Sequence, residues 1–331
     1  MNHHAPDQNP TPVWLRRYTK FVAASTLFLI FAGAMVTSTG SGLAVPDWPL
    51  SYGMLMPPMV AGIFYEHGHR MIAATVGFLT IIQAVWLQRR EPKRFVRLLG
   101  WWSLGAVIVQ GLLGGLTVIF LLPRVISVSH AALAEIFFCL NVSIAFFTSA
   151  WFHRLRVRGD ATAPAGLATW VAIAAFVQIF LGAVMRHLGA GLAIPDFPLA
   201  FGRIVPPIES AEVAANFAHR LGAVVVAALV IALAVRVFRN GPKALRLPAG
   251  GLCAIVAVQI YLGARVVWDA AGNVQIYQSL AGEEAIRHAT VTSFHVMTGA
   301  ATLALALLTA LAARTMAPEE EPALTGDEVP A

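Results

Sequence analysis

Apolar positions in this chain gather into long runs, each near or above the roughly 18 to 20 residues that cross a bilayer as a helix. Eight runs predict eight helices, over about residues 19 to 37, 68 to 88, 98 to 120, 125 to 151, 165 to 185, 213 to 235, 248 to 268 and 288 to 313. The first is longer than the apolar stretch of a typical secretion signal and seven more follow it, so it is expected to stay as the first span. The polar segments between the runs carry the orientation. Sixteen of the 23 Lys and Arg fall on the side that holds both chain ends and seven on the other, so the positive-inside rule puts both termini in the cytoplasm.

Composition sharpens this picture to an integral membrane protein. Of the 331 residues 58% are hydrophobic and 12% charged, about half the charged share of an ordinary soluble domain. Basic cytoplasmic loops account for the net charge of +6, so no nucleic-acid partner is expected. The Pro-rich start and the acidic end read as disordered tails. The chain then divides into a tail over 1–18, a first bundle over 19–158, a second over 159–315 and a tail over 316–331. Cys139 and Cys253 fall inside spans and predict two buried free thiols rather than a disulfide.

The polar segments also repeat. "GSGLAVPDWPLSYGMLMPP" from Gly40 and "GAGLAIPDFPLAFGRIVPP" from Gly189 share eleven of nineteen positions at an offset of 149 residues. That offset lays Gly33-Ala34 on Gly182-Ala183, and Gln110, Leu113 and Gly114 on Gln259, Leu262 and Gly263. One extra residue brings "HGHR" (to Arg70) onto "FAHR" (to Arg220), and a longer insertion before the eighth span lets His130 pair with His295. Four spans per unit is an even number, so both units enter the membrane in the same direction. The predicted fold is all-α, eight transmembrane helices in two parallel-repeat four-helix bundles.

Spans two, four, six and eight start on the outer side, and His69, His130, His219 and His295 lie within about two turns of those starts. One span histidine can be a hydrogen-bonded packing residue, but ionisable groups in spans are costly and mark function, and here four sit at matched positions. A bundle core holds cofactors between facing helices and imidazole is an axial ligand of haem iron, so one haem site per half is expected. Zinc is the weaker choice, because two histidines leave a tetrahedral site incomplete. His288, seven residues before His295, is the rival ligand in the last span. His67 points to another side of its helix, His187 lies at a span end, and His153 is expected to be solvated in a cytoplasmic loop.

The halves differ beside these histidines. Glu66 lies one turn before His69, whereas Asn216 holds that place before His219. A carboxylate there can exchange protons beside a bound porphyrin; alternatively, an acid simply suits a helix start. Arg70 and Arg220 are either partners for haem propionates or anchors at the interface. Glu135 aligns with Ala300 and is expected to be a hydrogen-bonded packing residue rather than a proton-handling one.

These motifs, "EHGHR" over Glu66 to Arg70, His130, "NFAHR" ending at Arg220, "HVMTG" from His295 and the two outer loops, resemble the haem A synthases, the Cox15/CtaA family, across essentially all eight spans. The resemblance implies substrate haem O between His69 and His130, a haem b cofactor between His219 and His295, and Glu66 as the catalytic glutamate. It implies an oxidoreductase that takes the C8 methyl of haem O through two hydroxylations and loss of water to the formyl group of haem A. It further implies a bacterial inner membrane location with the haems toward the outer face. Beyond haem O and the bilayer, haem O synthase, cytochrome oxidase assembly factors and a second copy of the chain are the partners it suggests. Some members carry a Cys pair in the first outer loop; this chain has none there, so no thiol relay is expected. The runner-up is a two-haem b-type electron-transfer protein such as a quinol or ferric reductase, which needs the four histidines but no Glu66/Asn216 difference. A parallel-repeat transporter would place its site nearer mid-membrane. The two loops are expected to be lids, with Asp47 and Asp196 bonding within them and Trp48 and Phe197 at the membrane interface.

Overall fold

A computed structural model describes residues 11–270 and 282–317. Its helices are α1 (Val13–Ser38), α2 (Ala61–Arg90), α3 (Arg94–Ile119), α4 (Arg124–Thr148), α5 (Ala150–Arg158), α6 (Ala165–His187), α7 (Ala211–Asn240), α8 (Arg246–Ala270) and α9 (Glu283–Met316). All but α5 are long and apolar enough to cross a membrane, which makes this an all-helical, multi-span protein. The terminal segments 1–10 and 318–331, and most of the insertion between the seventh and eighth spans, lie outside the described residues.

Most of the long helices run past their apolar stretches. α1 begins at Val13, six residues into what the sequence pattern left as tail, and α2 begins at Ala61 rather than 68. Hydropathy marks only the length in contact with lipid, whereas the backbone stays hydrogen-bonded as helix into the polar boundary. The fourth run departs the other way, because the chain breaks at Ser149. The Ser149 hydroxyl accepts from the Phe152 N–H at 3.1 Å, capping the separate short helix α5.

Helices α1 to α4 close into a ring, each packed on the next and α4 back on α1; α6 to α9 do the same. The rings join through α1 with α9 and through α4 with α6 and α9. The largest apolar cluster fills the second ring, with Leu233, Leu245, Leu252, Ala312 and Ala313 all fully buried. Cys139 and Cys253 are free thiols, half-buried inside α4 and α8.

The two repeated loops fold alike. Each has a cis proline, at Trp48-Pro49 and Phe197-Pro198, followed by a tight hairpin. Ser51 and Met54 exchange two backbone hydrogen bonds of 3.0 Å around Tyr52-Gly53, and Ala200 and Arg203 do the same around Phe201-Gly202. Both central residues of each turn have positive φ, 55° and 71° in the first loop and 54° and 70° in the second, as a type I′ turn requires. Glycine takes that conformation freely; an aromatic residue does not. The offset comes from Asp47, whose carboxylate accepts from the Tyr52 and Gly53 N–H groups at 2.6 and 2.8 Å, and from Asp196, which does the same for Phe201 and Gly202 at 2.7 and 2.8 Å. The Gly53 N–H above all, then that of Tyr52, holds the Asp47 carboxyl below the usual range, and the Gly202 N–H does so for Asp196.

Candidate functional site

All four histidines of the repeat lie in the N-terminal halves of α2, α4, α7 and α9, and each ring is seated on a glycine of the preceding long helix. A Cβ built at Gly33 would come 3.0 Å from His69 Cε1, at Gly114 3.2 Å from His130, at Gly182 2.9 Å from His219 and at Gly263 3.1 Å from His295. A Cβ at Gly182 would force the ring to move, and at the other three it would press the ring out by a few tenths of an ångström, so glycine is what lets each imidazole sit this close.

Three of these seats carry a second device, a glutamine one turn before the glycine. Gln110, Gln178 and Gln259 each donate from Nε2 to the backbone carbonyl of the histidine opposite, at 2.9, 2.7 and 2.9 Å. The fourth seat has Leu29 at that position. Its partner changes with it. A Cβ at Gly222 would lie 2.1 Å from Gln178 Oε1, so Gln178 needs a glycine across from it, and the residue aligned with Gly222 is Ile72. The Gln-x-x-x-Gly spacing was visible in the sequence as part of the repeat, but its use became apparent only with the facing helix in place.

Ring nitrogens separate the halves further. In the second half, His295 Nδ1 lies 3.1 Å from the Gln259 carbonyl oxygen, and His219 Nδ1 lies 3.1 Å from Gln178 Nε2. At His295, donation from Nδ1 to the Gln259 carbonyl is how ligand histidines are commonly oriented, leaving Nε2 for the metal; at His219 the Gln178 amide donates and Nδ1 accepts. In the first half, Nδ1 of both His69 and His130 is buried and has no hydrogen-bond partner among the described residues.

The second pair fits an iron between its rings. The His219 and His295 ring centroids are 6.4 Å apart with planes at 76°. A metal about 2 Å from each ring nitrogen, plus the half-widths of two imidazoles, spans roughly 6 Å. Among the described residues no three His, Cys, Asp or Glu side chains gather as an ion site, and haem asks the protein for only two axial ligands. His288, the rival, lies away from this pair. It lines a cavity of about 770 Å³ with Ser38, Met59, Tyr65 and Ile286, and its Nε2 is 2.9 Å from the Thr292 hydroxyl.

Glu66 is buried beneath the first loop. Its Oε2 accepts from the Val45 N–H at 2.8 Å and its Oε1 pairs with Arg70 Nη2 at 2.5 Å. Asn216 performs the neutral version, donating to the Ala190 and Gly191 carbonyls at 2.8 and 3.0 Å. Both positions therefore tie a loop to its helix, and only the first brings a charge. Arg70 reaches the Asp47, Leu50 and Val45 carbonyls, and Arg220 reaches those of Asp196, Leu199 and Ile194. These arginines are thus engaged with the loops. Trp48 packs over Gly115, where a Cβ would lie 2.7 Å from its ring; in the second half the smaller Phe197 stands at the Trp48 position and Ala264 at the Gly115 position.

Other sequence expectations change here. His67 is buried and bonded through Nδ1 to the Ser51 hydroxyl at 2.8 Å. His153 lies on helix α5 and not in a loop; it is half-buried beside Phe152, and its Nε2 has no hydrogen-bond partner among the described residues. Glu135 is buried as expected of a packing residue, but its Oε2 has no hydrogen-bond partner either.

Residues 59–277 match the family model of cytochrome oxidase assembly proteins designated COX15-CtaA. A heme A synthase of Symbiobacterium thermophilum is 33% identical over 264 residues, covering 76% of this chain and 84% of its own. One from Shouchella clausii is 30% identical over 75% of this chain and 83% of its own, and one from Brucella ovis is 27% identical over 72% and 79%.

Proposed function

The chain belongs to the COX15-CtaA family, and on that premise we propose that it is a membrane oxidoreductase that converts haem O to haem A. The observation that carries this reading is the difference between the halves. His219 and His295 face each other at 6.4 Å with both rings in polar contact, as a retained group requires. His69 and His130 have unpartnered Nδ1 atoms and a buried carboxylate one turn away, as suits a substrate that must arrive, react and leave.

His219 and His295 would hold haem b, which supplies one-electron redox chemistry when bound. His69 and His130 would hold haem O. Its C8 methyl becomes the formyl group of haem A through two successive hydroxylations and loss of water. Glu66 serves as the proton-handling group. Its two oxygens are held by Arg70 and by the Val45 N–H, so the carboxylate and the first loop are positioned together. The Gly33 and Gly114 seats set the height of the two rings, and Trp48 packed over Gly115 fastens the first loop to α3. The orientation that goes with this reading has both termini in the cytoplasm and the histidines toward the outer face of the bacterial inner membrane.

The test is to coexpress the chain with a source of haem O and extract the pigments. Haem A is expected with the native chain and not with Glu66→Gln. Two haem b per chain and no haem A, with haem O available, would overturn the proposal in favour of an electron-transfer protein.

A further inference from the structure

Seven arginines lie on the outer side by the charge pattern. Arg124, Arg203 and Arg287 are exposed. Arg70 and Arg220 are engaged with loop carbonyls, and Arg265 pairs with Asp269 at 2.5 Å. Among the described residues neither Arg186 nor Arg220, both half-buried, has a carboxylate in ion-pair range, but only Arg186 stands at the junction of the halves, and it has one carbonyl and one hydroxyl where Arg220 has three loop carbonyls.

Its acceptors are two neutral oxygens. Arg186 Nη2 donates to the Ala34 carbonyl at 3.0 Å and to the Ser38 hydroxyl at 2.6 Å. Having accepted from Arg186, Ser38 Oγ lies 3.0 Å from Ser293 Oγ, whose own hydrogen goes to the Ala289 carbonyl at 2.7 Å. Every group in this chain passes donation away from the guanidinium, and none supplies a negative charge. A cation among span ends without an anion is expensive.

The surroundings name the missing anion. Arg186 is one turn beyond Gly182, the seat of His219; Ala34 follows Gly33, the seat of His69; and Ser293 is two residues from His295. The guanidinium thus stands amid three of the four histidine seats, on the line where the two halves meet. We propose that Arg186 is a carboxylate site, binding the propionate of a porphyrin and shared between the two halves. It has no counterpart in the first half, where Thr37 takes the aligned place, so one guanidinium serves both sides. Bidentate pairing with a carboxylate uses the planar fork that the two neutral contacts leave largely free.

This inference rests on the haem-binding reading, and the experiment separates the two. The purified protein is reloaded with haem and, in parallel, with haem whose carboxylates are methyl esters, and the reduction midpoint of the bound haem is titrated. The native chain is expected to prefer the free acid by at least about tenfold, and Arg186→Gln to lose that preference. In Arg186→Gln the haem equilibrium should also shift about tenfold toward the oxidised form, or about 59 mV for one electron. Arg186→Lys keeps the charge and should recover most of the midpoint. Ser38→Ala breaks only the neutral contact and should leave the acid preference in place, which also controls for folding. If haem-loaded Arg186→Gln keeps both the preference and the midpoint, Arg186 is a fastener between the halves and the inference is overturned. If the preference persists but the midpoint follows added phospholipid, the anion is a lipid phosphate and the inference is likewise overturned. A native chain that binds no haem would remove the functional reading itself.

Discussion

The two halves agree at their rims and disagree in their interiors. Both outer loops have the same turn, the same aspartate clasp and the same arginine tether. Beneath them, eight buried polar residues of the first half, Thr19, Thr26, Thr80, Gln83, Ser103, Glu135, Asn141 and Thr148, align with Ala168, Ala175, Val230, Leu233, Leu252, Ala300, Ala306 and Ala313, all buried and all apolar. Asn141 is the hub of the polar set: its Oδ1 accepts from Gln83 at 2.7 Å and from Ser103 at 3.1 Å, and its Nδ2 lies 3.5 Å from Thr26. Similar loops on dissimilar cores show that the rim can be kept while the interior diverges. The second interior is the more apolar one, its buried Thr302 and Thr309 each donating within their own helix; a polar interior must satisfy each group or bear its cost. The apolar core lies under the pair read as holding a resident cofactor, and the polar core under the pair read as exchanging its substrate.

The largest effect should come from the one charge that separates the rims. Glu66→Gln is expected to lower haem A formation by about a hundredfold or more, read as the ratio of haem A to haem O in pigment extracts, while the second-half haem spectrum stays in place. Asn216→Asp should leave that ratio near the native value. Equal losses from both substitutions would make position 66 a loop tether like position 216.

Next in size is the exchange of the histidine supports. Gln178→Leu with Gly222→Ile builds the first-half pair into the second half and should speed haem loss from that half roughly tenfold or more, the usual scale for groups that orient a ligand histidine. Transfer of haem to an acceptor protein measures it. Leu29→Gln with Ile72→Gly should do the opposite and slow release from the first half. Unchanged rates in both would show that these pairs fill space without governing retention.

A smaller effect is expected at the polar hub. Asn141→Ala strands Gln83 and Ser103 and should cost about 1–2 kcal/mol, seen as a lower thermal midpoint in detergent with the second-half haem spectrum intact. Ala306→Asn, the reverse change, places an unpaired amide in the apolar core and should lower the midpoint together with haem retention in that half. Haem loss from the second half in Asn141→Ala would mean that the interiors are not independent.

What the sequence showed of all this follows from which signals are local. Eight spans, four histidines and the Glu66/Asn216 difference stand out because ionisable residues are rare in apolar runs and here recur at a fixed offset. The helix ends did not stand out, since Val13 and Ala61 start turns that lie beyond the lipid-contacting stretch. The break at Ser149 was hidden inside an apolar run, where a cap is one serine among many hydrophobic residues. Gln178 with Gly222 and Arg186 with Ser38 are pairings between helices, and no periodicity along one helix reports what faces it. The engagement of Arg70 and Arg220 with loop carbonyls depends likewise on how the loop folds back, which the turn residues Tyr52-Gly53 alone did not disclose.

The smallest effect is the one that should not distinguish the halves. Asp47 and Asp196 both have carboxyls held below their ordinary value by backbone N–H groups of their turns. A depressed folded value means that the stabilisation is fully present above the unfolded value, about 3.9, and is lost as the pH falls through the folded one. Both turns should therefore be unaffected near neutrality and loosen together only in acid, below about pH 4. Hydrogen exchange of the Gly53 and Gly202 amides against pH would follow each turn separately. Asp47→Asn should free the first turn at neutral pH and leave the second as it is, and Asp196→Asn the reverse. If the first turn loosens well above pH 4 while the second does not, a further group must control it. Glu66 is tied to the first loop through Val45 and Arg70, whereas Asn216 holds the second loop through an amide. The symmetric aspartates thus provide the baseline against which any difference between the two loops can be seen.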